Sequence, residues 1–339
     1  MTERTSIVEK NIPLVVNKIE TLKVYEPEVF FSSGSTLLDL VLGGGWAMRR
    51  IFNIIGDRSV GKTWIAIEAF ANFSRTFSNP RMRYAESEAA LNESFADRVG
   101  LPPNVTRPDE LLNTVEEFRD DLDDFIKGGG PGLYVLDSLD ALSDDAEMKK
   151  FEDRSDAGSY GTGKAKGMSA LFRLLARDIK KQNCCLGIIS QVRENIGVTF
   201  GEQYGRSGGK ALDFYASHTL WLHNAGKEDK TFEGDSRVTG IKVIAKCKKN
   251  KIGLPFRDCA FSIMFDYGID SELSCLDWLV QQKKMDKETG KSLEKQIKKA
   301  RQEQDFKTLD ELSLQLKQDA AREWKRIEDS LRFPIRKYR

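Results

Sequence analysis

Residues 51–64, IFNIIGDRSVGKTW, constrain the fold more than any other stretch of the chain. The apolar run Ile51–Ile55 reads as a buried strand that stops at Gly56. GDRSVGKT (56–63) comes next, and the apolar spacing of Trp64, Ile65, Ile67 and Phe70 reads as a helix. Strand, GxxxxGKT and helix in that order make a P-loop in the context it needs. Gly56 and Gly61 allow the tight turn that aims successive N–H groups inward, and the helix start adds its positive end. Lys62 brings a cation to the β- and γ-phosphates, and the Thr63 hydroxyl suits Mg²⁺. The candidate nucleotide contacts are therefore Gly56, Asp57, Arg58, Ser59, Val60, Gly61, Lys62, Thr63 and Trp64. A nucleoside triphosphate with Mg²⁺ is the implied ligand.

Charge places a further constraint on partners. The net charge of the 339 residues is +1, but residues 281–339 hold 17 Lys/Arg against 11 Asp/Glu, and residues 1–280 hold 36 against 41. A basic tail on a mildly acidic body is a pattern of nucleic-acid contact. No apolar run is long enough to span a membrane, and the N-terminus lacks a signal-peptide pattern. The five cysteines show no CxxC spacing and accompany two histidines, so they read as reduced core residues of a cytoplasmic protein.

Along the chain, residues 1–30 form a short appendage ending near Pro27, and 31–50 carry glycine punctuation around Leu37–Leu42. Met82–Ala85 reads as a strand, 86–100 as helical, and 109–126 as an amphipathic helix on Leu111, Leu112, Val115, Phe118, Leu122 and Ile126. Leu133–Leu136 is a buried strand running into Asp137, the expected second Mg²⁺ ligand downstream of a P-loop. Residues 151–167 read as a loop, Met168–Ile179 as a helix and Cys184–Ile189 as a strand ending in Ser190-Gln191. A glycine-rich segment fills 192–210, and further strands are expected at Leu220–Leu222, Thr239–Ala245 and Ala260–Phe265. Beyond 285 the spacing of Leu293, Ile297, Ala300, Leu309, Leu312, Leu316, Trp324, Ile327 and Leu331 predicts a helical pair with a basic end. The alternation predicts an α/β fold, a mostly parallel sheet with helices on both faces and ligands at the strand carboxyl ends. Gly56, Glu88, Asp137 and Gln191 fall at or just beyond such ends. The expected divisions are an N-terminal appendage (1–30), a P-loop core (31–280) and a basic helical region (281–339).

Taken together, these motifs resemble the RecA recombinase family over roughly residues 30–285. SSGSTLLDLVLGGGWAMRRIFNIIGDRSVGKT resembles its lead-in and P-loop, YAESEAALNESFADRVG the segment with the catalytic glutamate, and YVLDSLDAL the Mg²⁺ strand. IISQVRENIGVTFGEQYGRSGGKALDFYAS resembles the γ-phosphate-sensing glutamine, the second DNA loop and the segment after that loop. KKNKIGLPF resembles the lysine element that completes a neighbouring subunit's nucleotide site.

The resemblance implies a RecA-like P-loop core and an ATP- and Mg²⁺-dependent, DNA-stimulated ATPase. It also implies helical filaments on single-stranded DNA and strand exchange with homologous duplex DNA. A hexameric helicase or DNA motor on the same fold, or a non-catalytic ATP-bound mediator, is the alternative. A homo-oligomer is the first expected partner, with a single-strand-binding or mediator protein as a further class and no membrane. Glu88 would activate the attacking water. Glu86 competes for that role, but the register through Ala90-Leu91 favours Glu88. Asn92 and Phe95 match base-contacting positions where the family more often has Asp and Tyr. Gln191 would sense the γ-phosphate, and Lys249 and Lys251 would reach it from the adjacent subunit. DNA contacts would come from Arg193, Val198, Phe200, Arg206 and Lys210 in the second loop and from Lys164 and Lys166 in a first loop whose sequence departs from the family's. The basic C-terminus also departs from the acidic tail such proteins often carry.

Overall fold

A strand that is apolar on both faces must lie inside a sheet with cover on each side, and Ile51, Phe52, Ile54 and Ile55 are all buried. A computed structural model describes residues 28–88, 96, 98–143, 162–194, 204–206 and 209–335, and of 162–166, 193–194, 204–206 and 209–210 the backbone alone. The described elements are β1 (Phe30–Phe31), α1 (Thr36–Leu42), β2 (Trp46–Ala47), β3 (Ile51–Gly56), α2 (Lys62–Thr76), β4 (Arg81–Glu86), β5 (Val105–Thr106) and α3 (Val115–Lys127). They continue with β6 (Gly132–Asp137), α4 (Thr162–Lys181), β7 (Cys184–Glu194), β8 (Tyr204–Arg206), α5 (Gly209–Tyr215), β9 (His218–Phe232) and β10 (Asp235–Asn250). The last are β11 (Arg257–Met264), β12 (Gly268–Asp270), α6 (Ser271–Gln281), α7 (Lys287–Glu303) and α8 (Phe306–Ser330).

The main sheet runs β12-β11-β10-β9-β3-β7-β6-β4-β5, with β8 on β7. Pairing is parallel from β9 to β5 and antiparallel from β9 to β12. Helices cover both faces. On one, Leu37 (α1), Phe70 and Phe73 (α2), Leu276 (α6), Ile297 (α7) and Leu316 (α8) share a single core. On the other, Phe118 (α3), Phe172 (α4) and Leu212 (α5) pack against Ile51, Leu136 and Ile188. The C-terminal helices thus belong to the core under the P-loop strand. Arg301 of α7 fastens them further by donating to Asp270 at 2.8 and 2.7 Å and to Glu272 at 3.0 Å.

Several boundaries differ from the sequence expectation. The helix expected over 109–126 begins at Val115, because Thr114 accepts from Glu117 N and the Glu117 carboxylate accepts from Thr114 N. This capping box stabilises a start at that point by about 1 kcal/mol, leaving Leu111 43% exposed. Residues 162–167, expected in a loop, form the first turns of α4. The strand expected to end at Gln191 continues to Glu194, because Val192 to Glu194 pair with β8. The expected strands at 220–222 and 239–245 are pieces of a hairpin reaching residue 232, whose outer half is polar and exposed on both sides and so gave no apolar signal. Helix α6 was not foreseen. The appendage before Glu28 and most of the 86–100 segment lie outside the described residues. All five cysteines are unpaired and buried, as expected. Among the described residues no helix is long and apolar enough to cross a membrane.

His218 opens β9 beside Phe52 and is fully buried, with Nε2 3.1 Å from the Leu42 carbonyl. Burial pushes its pKa down from 6.5 to about 4. The unfolded chain takes up this proton before the folded one does. The contribution is therefore complete above pH 6.5 and is lost as pH falls toward 4, by up to about 3 kcal/mol. Urea unfolding of the wild type should lose more stability between pH 7 and pH 4.5 than that of His218→Gln; equal losses would contradict a buried neutral imidazole.

Candidate functional site

The parallel strands bring their carboxyl ends to one edge, and the candidate residues gather there. Gly56 pairs with Gln191 on one side and Leu222 on the other, and Glu86 pairs with Asp137. A Cβ at Gly56 would meet Val60 Cγ2 at 2.6 Å and Leu222 at 3.2 Å, so only glycine lets the turn fold back over the strand. Ser59 (φ 57°) and Gly61 (φ 90°) take left-handed conformations as the chain enters α2.

Lys62 curls over this turn, donating to Gly56 O at 3.0 Å and Asp57 O at 2.6 Å. Burial pulls its pKa down, against the charges of Asp137, Glu88, Asp57 and Asp140. The Thr63 hydroxyl donates to Asp137 Oδ2 at 2.9 Å, and the Tyr84 phenol donates to the same oxygen at 2.6 Å. Burial raises the Asp137 pKa, while the Tyr84 and Thr63 hydroxyls and Lys62 hold it down. Burial, helped by Asp137, pushes the Tyr84 phenol well up, so it remains a donor.

Asp137 is followed by a cis peptide to Ser138. Ser138 and Ser87 exchange hydrogen bonds of 2.9 and 2.6 Å, which tie the ends of β6 and β4 together. This cross-tie delivers Glu88 to the sheet edge, where Oε1 accepts from Ser138 Oγ and, at 2.8 Å, from Gln191 Nε2. Asp140 Oδ2 accepts from Gln191 N at 2.6 Å and fixes that strand as well. Glu86, the rival of Glu88, is 8% exposed at the end of β4, and its carbonyl accepts from Leu112 N. Glu88 is exposed and makes the contact with Gln191.

A cavity of about 620 Å³ adjoins the P-loop, lined by Gly61, Lys62, Thr63 and Trp64 on one side and by Arg98, Asn224, Lys227, Phe265 and Asp266 on the other. Sequence reasoning missed this far wall, along with Tyr84, Ser138 and Asp140. Phe265 and Asp266 lie about two hundred positions from the P-loop, and only the antiparallel half of the sheet brings them there. Tyr84 sat in a strand already read as core. The polar and acidic residues of LDSLD (136–140), where a plain apolar strand end would otherwise stand, were the one signal available.

The oxygen donors Thr63 and Asp137 suit a hard divalent cation. Among the described residues no group of three or more His, Cys, Asp or Glu side chains could hold a metal alone. Mg²⁺ keeps water and phosphate oxygens around one or two protein ligands.

Lys249 and Lys251 lie away from this cluster, at the end of β10. Lys249 Nζ donates to the carbonyls of Asp213 and, at 2.9 Å, Phe214; Lys251 Nζ donates to Phe214 O at 2.8 Å. Both ammonium groups thereby cap the carboxyl end of α5, where the helix dipole favours cations. Asn92, Phe95, Val198 and Phe200 lie outside the described residues, as do the side chains of Lys164, Lys166, Arg193, Arg206 and Lys210. The backbone puts Lys164 and Lys166 on α4, Arg193 on β7, Arg206 on β8 and Lys210 on α5.

The model of the RecA N-terminal domain family matches residues 15–270. Protein RecA of Delftia acidovorans (strain DSM 14801 / SPH-1) is 34% identical over 261 residues, 76% of this chain and 67% of that protein. Protein RecA of Rippkaea orientalis (strain PCC 8801 / RF-1) is 34% identical over 255 residues, 74% of this chain and 69% of that protein. Protein RecA of Allochromatium vinosum is 34% identical over 261 residues, covering 76% and 71%. With a family model matching most of its length and relatives at this identity, the chain belongs to the RecA family.

Proposed function

We propose that the chain is a DNA-dependent ATPase that assembles on single-stranded DNA as a filament and pairs it with homologous duplex DNA. The observation that carries this reading is the hydrogen bond from Gln191 Nε2 to Glu88 Oε1, 2.8 Å long, at the lip of the P-loop. It joins a carboxylate able to activate water to the strand that carries the chain into the glycine-rich segment 192–210.

In this reading the chemistry is divided among several residues. The backbone of 56–63 and Lys62 bind the phosphates, and Lys62 exchanges its carbonyl partners for phosphate oxygens. Thr63 and Asp137 hold Mg²⁺, which when bound neutralises charge on the β- and γ-phosphates. Ser138 Oγ and Gln191 Nε2 both engage Glu88 Oε1, Ser138 stays on it when Gln191 turns away, and Oε2 is the oxygen that accepts a proton from water. When Gln191 turns toward a γ-phosphate it must release Glu88, so phosphate recognition and loop position change together. The wall containing Phe265 receives the base, with an aromatic face for stacking. Arg193, Val198, Phe200, Arg206 and Lys210, with Lys164 and Lys166, contact DNA. Lys249 and Lys251 complete the site of an adjacent subunit.

Glu88→Gln should retain ATP binding and lose at least about a hundredfold in turnover, whereas Lys62→Ala should lose nucleotide-dependent DNA binding. Normal hydrolysis by Glu88→Gln together with loss in Glu86→Gln would transfer the role to Glu86. Negative-stain imaging with single-stranded DNA and a slowly hydrolysed ATP analogue should show helical filaments; closed rings would favour a motor.

Arg206→Ala and Lys210→Ala should each weaken single-stranded DNA binding and lower the slope of log K against log salt by about 0.7, one phosphate contact apiece. Unchanged slopes in both variants would move the DNA site elsewhere.

A variant with both Lys249 and Lys251 changed to Ala should bind nucleotide but lack DNA-stimulated hydrolysis. Each site uses its own Glu88 and borrows the lysines, so mixing this variant with Glu88→Gln should restore part of the activity. No recovery in mixed filaments shown to form would refute action across the boundary.

A further inference from the structure

We propose that Tyr84 is a positioning residue for the metal site, holding Asp137 so that one carboxylate oxygen is committed to the protein and the other faces the cation and its water. The proposal rests on the reading of Asp137 as a Mg²⁺ partner.

The geometry is specific. Tyr84 lies on β4, two residues before the strand end, and its side chain is 1% exposed. Its ring meets Phe70 of α2 edge-on, with centroids 6.2 Å apart. Phenylalanine would fill that space equally well, so packing does not account for the hydroxyl. A buried hydroxyl without a partner costs about 1–3 kcal/mol, and this one donates to Asp137 Oδ2 at 2.6 Å.

The second donor to Oδ2 is Thr63, at 2.9 Å. The two donors reach that oxygen from different parts of the fold. Thr63 rides on the first turn of α2, directly on the phosphate-binding turn. Tyr84 belongs to the sheet, in the strand hydrogen-bonded to the one that carries Asp137, with Glu86 and Asp137 in register. Any movement of the P-loop during nucleotide exchange carries Thr63 with it and leaves Tyr84 in place. Neither donor engages Oδ1. Orienting partners of this kind behind a metal-binding carboxylate change metal affinity by roughly 10–100-fold when removed.

The test uses the full chain with a bound non-hydrolysable ATP analogue and Mn²⁺ as the metal, with free Mn²⁺ followed by electron paramagnetic resonance. Tyr84→Phe should weaken Mn²⁺ binding about tenfold or more, while nucleotide affinity measured in chelator stays within about twofold of wild type. Asp137→Asn should weaken Mn²⁺ binding as well, and adding Tyr84→Phe to it should cause no further loss, because Tyr84 acts through Asp137. Wild-type Mn²⁺ affinity in Tyr84→Phe, with a weakened Asp137→Asn, would overturn the role of Tyr84 and leave the Asp137 reading intact. Wild-type affinity in both would remove the reading of Asp137 and the proposal with it. An equal loss of nucleotide affinity in chelator, or additive losses in the double variant, would assign the effect to packing and overturn the proposal.

Discussion

The register of β3 between β7 and β9 is the constraint on which the rest depends. It sets Gly56 opposite Gln191 and Leu222, in a space where any side chain at 56 would strike Val60. Because strand side chains alternate between faces, a slip of one residue would turn Ile54 and Phe52 away from α2 and present Ile55 and Asn53 instead. The buried apolar residues on both faces make that slip costly, and so the phosphate-binding turn inherits its position from the core. The neighbouring pair β4 and β6 repeats the logic, with Glu86 opposite Asp137 and the Ser87–Ser138 exchange joining the chain just beyond.

Charge is distributed at this edge in a way that invites a cation. Lys62 is half-buried within reach of Asp137, Glu88, Asp57 and Asp140, four carboxylates acting on one ammonium. A polyphosphate entering here would add further negative charge to a partly desolvated site, where unscreened repulsion is large. A divalent cation held by Thr63 and Asp137 would offset it, and the site's own donors already hold one oxygen each of Asp137 and Glu88 in place. Such preorganisation means little reorientation is needed when charge moves in the reaction.

The P-loop, its strand and its helix were legible because their signals are local: fixed glycines, a fixed lysine and an apolar period that changes from run to helix at Gly56. Glu88, Asp137 and Gln191 were legible through motif order, and the structure brings Glu88 and Gln191 into contact. The illegible parts depend on distant chain. The wall with Arg98, Asn224, Phe265 and Asp266 is assembled from three separate parts of the chain, the segment after β4, strand β9 and the turn after β11, so no local pattern joins them. The start of α3 was misread because Leu111 and Leu112 continue the helical period, although Thr114 and Glu117 cap the helix after them. Leu112 instead gives its N–H to the end of β4. Tyr84 looked like any core aromatic, since the value of its hydroxyl appears only when Asp137 is seen beside it.

Lys249 and Lys251 tie the antiparallel half of the sheet to α5. Their stems leave the end of β10, yet their ammonium groups sit on the last carbonyls of α5, the helix directly after the glycine-rich segment. Those carbonyls are acceptors that the helix itself cannot satisfy, so the lysines and the helix end hold each other. On the proposed reading the same lysines must serve a neighbour's γ-phosphate, a stronger acceptor than a carbonyl because it is charged. Leaving α5 is then offset only when a nucleotide and a neighbour are both present. A helix end that has lost its cations is free to shift with the loop before it. On that reading, assembly, nucleotide occupancy and the position of α5 would be linked through two side chains.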